Sequence, residues 1–336
     1  MHVPDGFFDV AVSVSTGAVA AAGVAVCLRG AKRELDDRTA PMAGLVAAFI
    51  FAVQMLNFPV TGGTSGHLLG GALAAILVGP YTAVLCMATV LLVQGFFFAD
   101  GGLTALGVNI TLMGIVTVLV GWGVFRLIAA RSRRSIVIAA FLGALVSVPV
   151  SALSFTLLFW IGGTAPIEIG TVAMAMGGVH VLIGLGEGLI TAVTVSTVLA
   201  TRPDLVYGAR GLTRRLVLRD ADGVAIEVAP EESAPVRSSR PFLVGGVGVT
   251  LILAGIVSFF ASSSPDGLES VGAEKGFLDQ ATAHPLGSWA LSDYGAVGGI
   301  PVGIAGVIGV GITLLVAGSI GYAARRSAAV KTEVGA

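Results

Sequence analysis

The first six residues, Met1-His2-Val3-Pro4-Asp5-Gly6, bring an α-amine, an imidazole and a stiff Pro-Asp-Gly turn together ahead of any hydrophobic segment. An α-amine and the backbone nitrogen of residue two close a five-membered chelate ring on a metal ion, and the imidazole of residue two can close a further ring beside it. Nitrogen donors in a plane suit Ni(II) or Cu(II), with Co(II) also accommodated. The competing reading is a loose terminus, the common state of the first residues of a domain. A second histidine on the same side of the molecule would decide between them, so the elements that place the histidines come next.

Of the 336 residues, 55% are hydrophobic and 12% charged, where an ordinary soluble domain has roughly 25% charged. With a mean hydropathy of +0.94 this is the composition of an all-α integral membrane protein. The 48 glycines allow helices to approach closely around a small site. No basic stretch precedes the apolar run near Asp9, so a secretory signal is not expected. The bulky His2 predicts that Met1 is retained. Cys27 and Cys86 lie inside apolar runs and read as packing residues rather than a disulfide. The net charge of −1 gives no reason to expect nucleic acid as a partner.

Apolar runs at about 9–28, 41–58, 67–79, 82–98, 103–130, 136–161, 171–200, 242–261 and 297–324 predict nine spans, seven before a polar linker and two after it. The third has about 13 residues where roughly 20 are wanted, and reads as a short or partly re-entrant helix. Basic clusters set the orientation. Arg29 to Arg38, Arg131 to Arg134, the linker arginines Arg202 to Arg240, and Arg325, Arg326 and Lys331 all fall on one side if every run crosses. That predicts an outer N-terminus and a cytoplasmic C-terminus in the plasma membrane. Domains are expected at 1–200 and 241–336, joined by a cytoplasmic linker at 201–240.

His2 and His67 then share the outer face, and the topology argument used neither. His67 ends the glycine- and hydroxyl-rich loop from Pro59 to Gly66, which includes Ser65. Gln54, Asn57, Gln94 and Asn109 lie near the outer halves of their spans, where amides either orient a ligating imidazole or join helices. His180 and Glu187, seven residues apart on the seventh span, share one helical face. An acid at membrane depth has a functional default, against a structural role pairing a backbone group or hydroxyl. No GxxxxGK[ST] sequence exists, so this chain is not expected to bind a nucleotide. Energy for uphill movement would come from partner subunits. The alternatives are an ATP-independent secondary transporter or channel, which lacks the paired intramembrane charges and inverted repeats it would need, and a metalloenzyme, which lacks a placed acid or base.

Four segments, MHVPDGFFD, TSGHLLGGALAAILVGP, GGLTALGVN and HVLIGLGEGLIT, resemble the cobalt and nickel capture proteins CbiM and NikM. These are the substrate-specific (S) components of energy-coupling factor (ECF) importers, a division of the ABC transporters. SSSPDGLESVGAEKGF at 262–277, flanked by one span on each side, is similar to the small companion CbiN or NikN. The resemblance implies a seven-helix capture bundle plus two further helices. It implies Ni(II) or Co(II) as transported substrate, with a transmembrane T component and a cytoplasmic ATPase pair as partners. It also implies a square-planar set made by the Met1 amine, the His2 backbone nitrogen and imidazole, and the His67 imidazole. The segment Gly95 to Asp100 departs from relatives that carry a histidine there. The appended module is expected to contact the capture loops and act on loading, and the fusion leans slightly towards nickel.

Overall fold

The computed structural model describes residues 1–36, 39–130, 132–210, 217–219, 225–227, 238–292, 294 and 299–334. Arg38, Arg131, Arg214, Arg215 and Arg237 of the charge map, with much of the predicted linker, lie outside the described residues. Helix α1 (Val10–Ala31) starts where Asp9 caps it, the Asp9 carboxylate accepting from Val12 N at 2.8 Å. It is followed by α2 (Thr39–Gln54), α3 (Gly71–Val78), α4 (Pro80–Phe97), α5 (Leu106–Ile128), α6 (Arg133–Gly162) and α7 (Ile169–Thr201). Beyond the connecting segment come α8 (Arg240–Gly255), the short α9 (Gly267–Lys275) and α10 (Val302–Val334). Between α2 and α3, β1 (Phe58–Pro59) and β2 (Ser65–Gly66) form a small antiparallel pair.

Among the described residues seven helical segments, α8 counted with its continuation to Phe260, are long and apolar enough to cross a membrane, and α2 is a shorter apolar one. The protein is a multi-pass membrane protein. Helices α8 and α10 pack on each other and both lie against α2, with α10 also against α4. Glycine permits the close approach of α8 and α10: a Cβ on Gly303 would stand 2.3 Å from the Gly255 carbonyl oxygen. Cys27 and Cys86 are both buried free thiols, as packing residues should be.

The short third run has a physical explanation. Its eight-residue helix rises only about 12 Å, and the non-helical residues 67–70 before it extend the segment's reach. The segment starts at His67, beside Met1. It ends at the turn where Glu34, just past α1, accepts from Tyr81 N at 3.2 Å and Thr82 N at 2.7 Å. The segment therefore runs from the seated Met1 amine to the turn just past the C-terminal end of α1. Non-helical backbone at that depth is tolerated only where protein groups satisfy it. Leu69 N and Gly70 N donate to the Glu187 carboxylate at 2.6 and 3.0 Å, Gln54 Nε2 donates to Leu69 O at 2.9 Å, and His67 Nδ1 lies 3.0 Å from Leu68 O.

Candidate metal centre

The N-terminal tail is seated in the molecule. Met1, Val3, Asp5 and Phe7 are buried while the residues between them are partly exposed, and the tail turns at Asp5-Gly6, where Gly6 has φ 93°. Each anchor has its own partner. Val3 N donates to Asn109 Oδ1 at 2.8 Å, and Val3 O accepts from Asn109 Nδ2 at 3.1 Å and Gly102 N at 2.9 Å. The Asp5 carboxylate accepts from Thr104 N at 2.7 Å, Thr104 Oγ1 at 2.5 Å and Leu103 N at 3.2 Å. Phe7 meets the edge of Phe277, centroids 5.5 Å apart. Burying Val3 and Phe7 contributes about 1.5–3 kcal/mol each, enough to offset much of the tail's ordering entropy.

Gly102 is required by this docking, because a Cβ there would lie 2.2 Å from Asp5 N. We expect Gly102→Ala to lift the tail and weaken metal binding more than tenfold with the helical content unchanged, measured by metal titration beside circular dichroism.

The seated tail brings its amine against two groups from distant parts of the chain. The Met1 amine meets Nε2 of His67, and it lies 2.7 Å from Asp266 Oδ2. Asp266 Oδ2 is in turn 3.5 Å from His67 Nε2. The His2 and His67 rings stack with centroids 5.0 Å apart and planes 19° off parallel. His2 Nε2 lies 3.0 Å from Gln94 Oε1, and His2 Nδ1 lies 3.3 Å from Asp100 Oδ1.

Backbone carbonyls, which only accept, dictate where the ring protons sit. Leu68 O faces His67 Nδ1, so that nitrogen carries the proton and Nε2 keeps a lone pair aimed at the amine. For His2 the assignment passes through two amides. Leu69 O accepts from Gln54 Nε2, Gln54 Oε1 accepts from Gln94 Nε2 at 2.8 Å, and Gln94 Oε1 is left facing His2 Nε2. Nε2 of His2 therefore donates to Gln94, and in the neutral ring Nδ1, which faces Asp100 Oδ1, keeps the lone pair. Nδ1 is also the nitrogen that closes a six-membered ring with the residue's own backbone nitrogen, counting N, Cα, Cβ, Cγ, Nδ1 and the metal. Orienting partners of this kind normally accompany metal-ligating imidazoles.

Electrostatics agree with a neutral imidazole. Burial lowers His2 to about 4, against the opposing pull of Asp100. Burial pushes the Asp266 carboxyl up, but the charged Met1 amine beside it opposes that, and the group is held well below the usual carboxylate range. Among the described residues no three His, Cys, Asp or Glu side chains form a metal-holding group. A metal here would depend on the amine and a backbone nitrogen as donors.

Residues 2–205 match the model for CbiM, described as the cobalt uptake substrate-specific transmembrane region. The chain belongs to the CbiM family. Residues 240–326 of this CbiM-family chain match the PDGLE domain. A protein of Archaeoglobus fulgidus, provisionally named fused nickel transport protein NikMN, is 34% identical over 98% of this chain and 99% of its own length. Cobalt transport protein CbiM of Sorangium cellulosum is 34% identical over 67% of this chain and all of its own. A crystal structure of a truncated transition metal transporter superposes with a TM-score of 0.52 at 27% identity, covering 60% of this chain and 99% of that one.

In this family member the structure gathers Met1, His2 and His67 at one point, with Gln54, Gln94 and Asn109 behind them. Ser65 binds the PDGLE segment instead, donating from Oγ to Ser264 O at 2.7 Å and from N to Pro265 O at 2.8 Å. Asn57 takes part through its backbone, its carbonyl accepting from Ser262 N. The Glu187 carboxylate accepts from Leu69 N and Gly70 N of the peptide after His67. His180 sits fully buried on the same helix, its Nδ1 2.8 Å from Met176 O. The expected contact between the appended loop and the capture loops is present at Ser65, at Met1 and where Thr282 N donates to Asp5 O. Sequence reasoning did not place Asp266, Asp100 and Asp5 at the site. The Pro-Asp-Gly pattern that recurs at residues 4–6 and 265–267 was the available signal, since both aspartates occupy the site's walls.

Proposed function

We propose that this chain is the S component of an ECF-type importer that captures Ni(II) or Co(II) at its outer face. The Met1 amine, the His2 backbone nitrogen, His2 Nδ1 and His67 Nε2 hold the ion. The observation that carries this reading is the convergence of the amine on a histidine whose other ring nitrogen is committed to a carbonyl. Gln54, Gln94 and Asn109 hold these donors in place. Residues 1–200 form the capture domain, 201–240 a cytoplasmic linker and 241–336 the CbiN-like module, with the N-terminus outside and the C-terminus in the cytoplasm. A T component and an ATPase pair supply the energy for delivery.

An amine has a reference pKa near 8, and it must lose a proton to ligate, as must the backbone amide. His2, neutral above about pH 5, releases none at pH 7. Binding therefore weakens as pH falls, and calorimetry in buffers of differing ionisation enthalpy should register about two protons released per ion at neutral pH. The purified protein is expected to bind one ion with the absorption of a planar four-nitrogen complex. In vesicles, uptake should require the T component and ATPases. Equal uptake without them would replace this reading with an ATP-independent transporter.

A further inference from the structure

We infer that Asp266 is the counter-anion of the captured metal, so that the PDGLE segment completes the site's charge balance without supplying a metal-bound atom. The inference rests on the four-nitrogen reading above. A divalent ion held by an amine, two neutral imidazoles and one deprotonated amide carries a net charge of +1. A buried charge of that kind is costly unless paired. Of the three aspartates around the site, Asp5 is committed to Leu103 N and Thr104, which leaves two carboxylates facing the nitrogens. The Asp100 side chain is 37% exposed and screened by water, whereas that of Asp266 is 11% exposed and touches both the amine and His67.

The Asp266 carboxylate is held in this position. Its Oδ1 caps α9, accepting from Leu268 N at 2.8 Å and Glu269 N at 2.9 Å, while Glu269 Oε2 accepts from Asp266 N at 3.1 Å. With Oδ1 occupied, Oδ2 is the atom presented to the amine. The α9 segment is tied in turn to the strand that precedes His67, through Ser65 to Ser264 and Pro265 and through Thr64 Oγ1 to Ser270 Oγ at 2.8 Å. Leu268 and Val271 are buried beneath it.

Because the carboxylate belongs to the appended module, metal binding and seating of α9 reinforce each other by linkage.

The test is metal affinity and spectrum for full-length Asp266→Asn and Asp266→Ser, which remove the charge and keep an N-cap residue. Both should bind Ni(II) roughly 10–100-fold more weakly, with the absorption spectrum of the bound ion unchanged because the four nitrogens remain. Asp100→Asn should lose less. Wild-type affinity in either neutral variant, or a changed spectrum marking Asp266 as a ligand, would overturn the inference. Wild-type protein lacking the four-nitrogen spectrum would instead defeat the site reading itself.

Discussion

A chain carrying one additional residue ahead of Met1 should lose Ni(II) and Co(II) binding by more than about a thousandfold, equivalent to about 4 kcal/mol. The extension turns the amine into an amide, removing the donor that begins the first chelate ring. It also has nowhere to go, because the amine is enclosed by His67 Nε2 and Asp266 Oδ2 and Met1 is itself buried. A third effect acts even without metal. The buried ammonium that pairs with Asp266 disappears, and an uncompensated buried carboxylate costs about 3–5 kcal/mol. The tail should therefore unseat in the empty protein as well. Titration of purified protein before and after proteolytic removal of the extension checks both effects. Recovery of binding on cleavage is the expected result, and an extended chain that binds normally would rule out the amine as a ligand.

The parts of this molecule that were legible in the sequence are those governed by local composition. Hydropathy marks the long helices because each is a continuous apolar run. It gives the third run an ambiguous length, because residues 67–70 gain their reach by not being helical, and that depends on Glu187 more than a hundred residues away. The proposed chelate of Met1 and His2 is legible because both donors are neighbours in the chain. The roles of Gln54 and Gln94 were open between orienting a ligand and joining helices. The amide chain from Leu69 O to His2 crosses from α2 to α4, so the same hydrogen bonds join helices and meet the His2 ring. Asp266 was visible as part of a motif but could not be placed. Its partner is the first residue of the chain, and only tertiary packing brings them together.

His67→Ala should reduce affinity by roughly a hundredfold or more, and it should change the spectrum of whatever metal remains. His67 is the one proposed donor that does not belong to the tail, so its loss leaves three nitrogens on a single flexible segment and an open coordination position. The stacked contact with the His2 ring disappears too, which loosens the donor that His67 helps to orient. Gln94→Leu separates geometry from ligation. It leaves all four nitrogens present but removes the acceptor that fixes the proton on His2 Nε2, and it leaves Gln54 Oε1 without its donor. Removing such an orienting partner typically costs 10–100-fold in metal affinity. The ring can then protonate at Nδ1, so the loss should appear as weaker binding with the four-nitrogen spectrum retained once the site is saturated. Titration followed by absorption distinguishes the two variants. If His67→Ala kept both the affinity and the spectrum of the wild type, the fourth nitrogen would have to come from elsewhere, and the contact between His67 and the amine would be only a structural anchor for the tail.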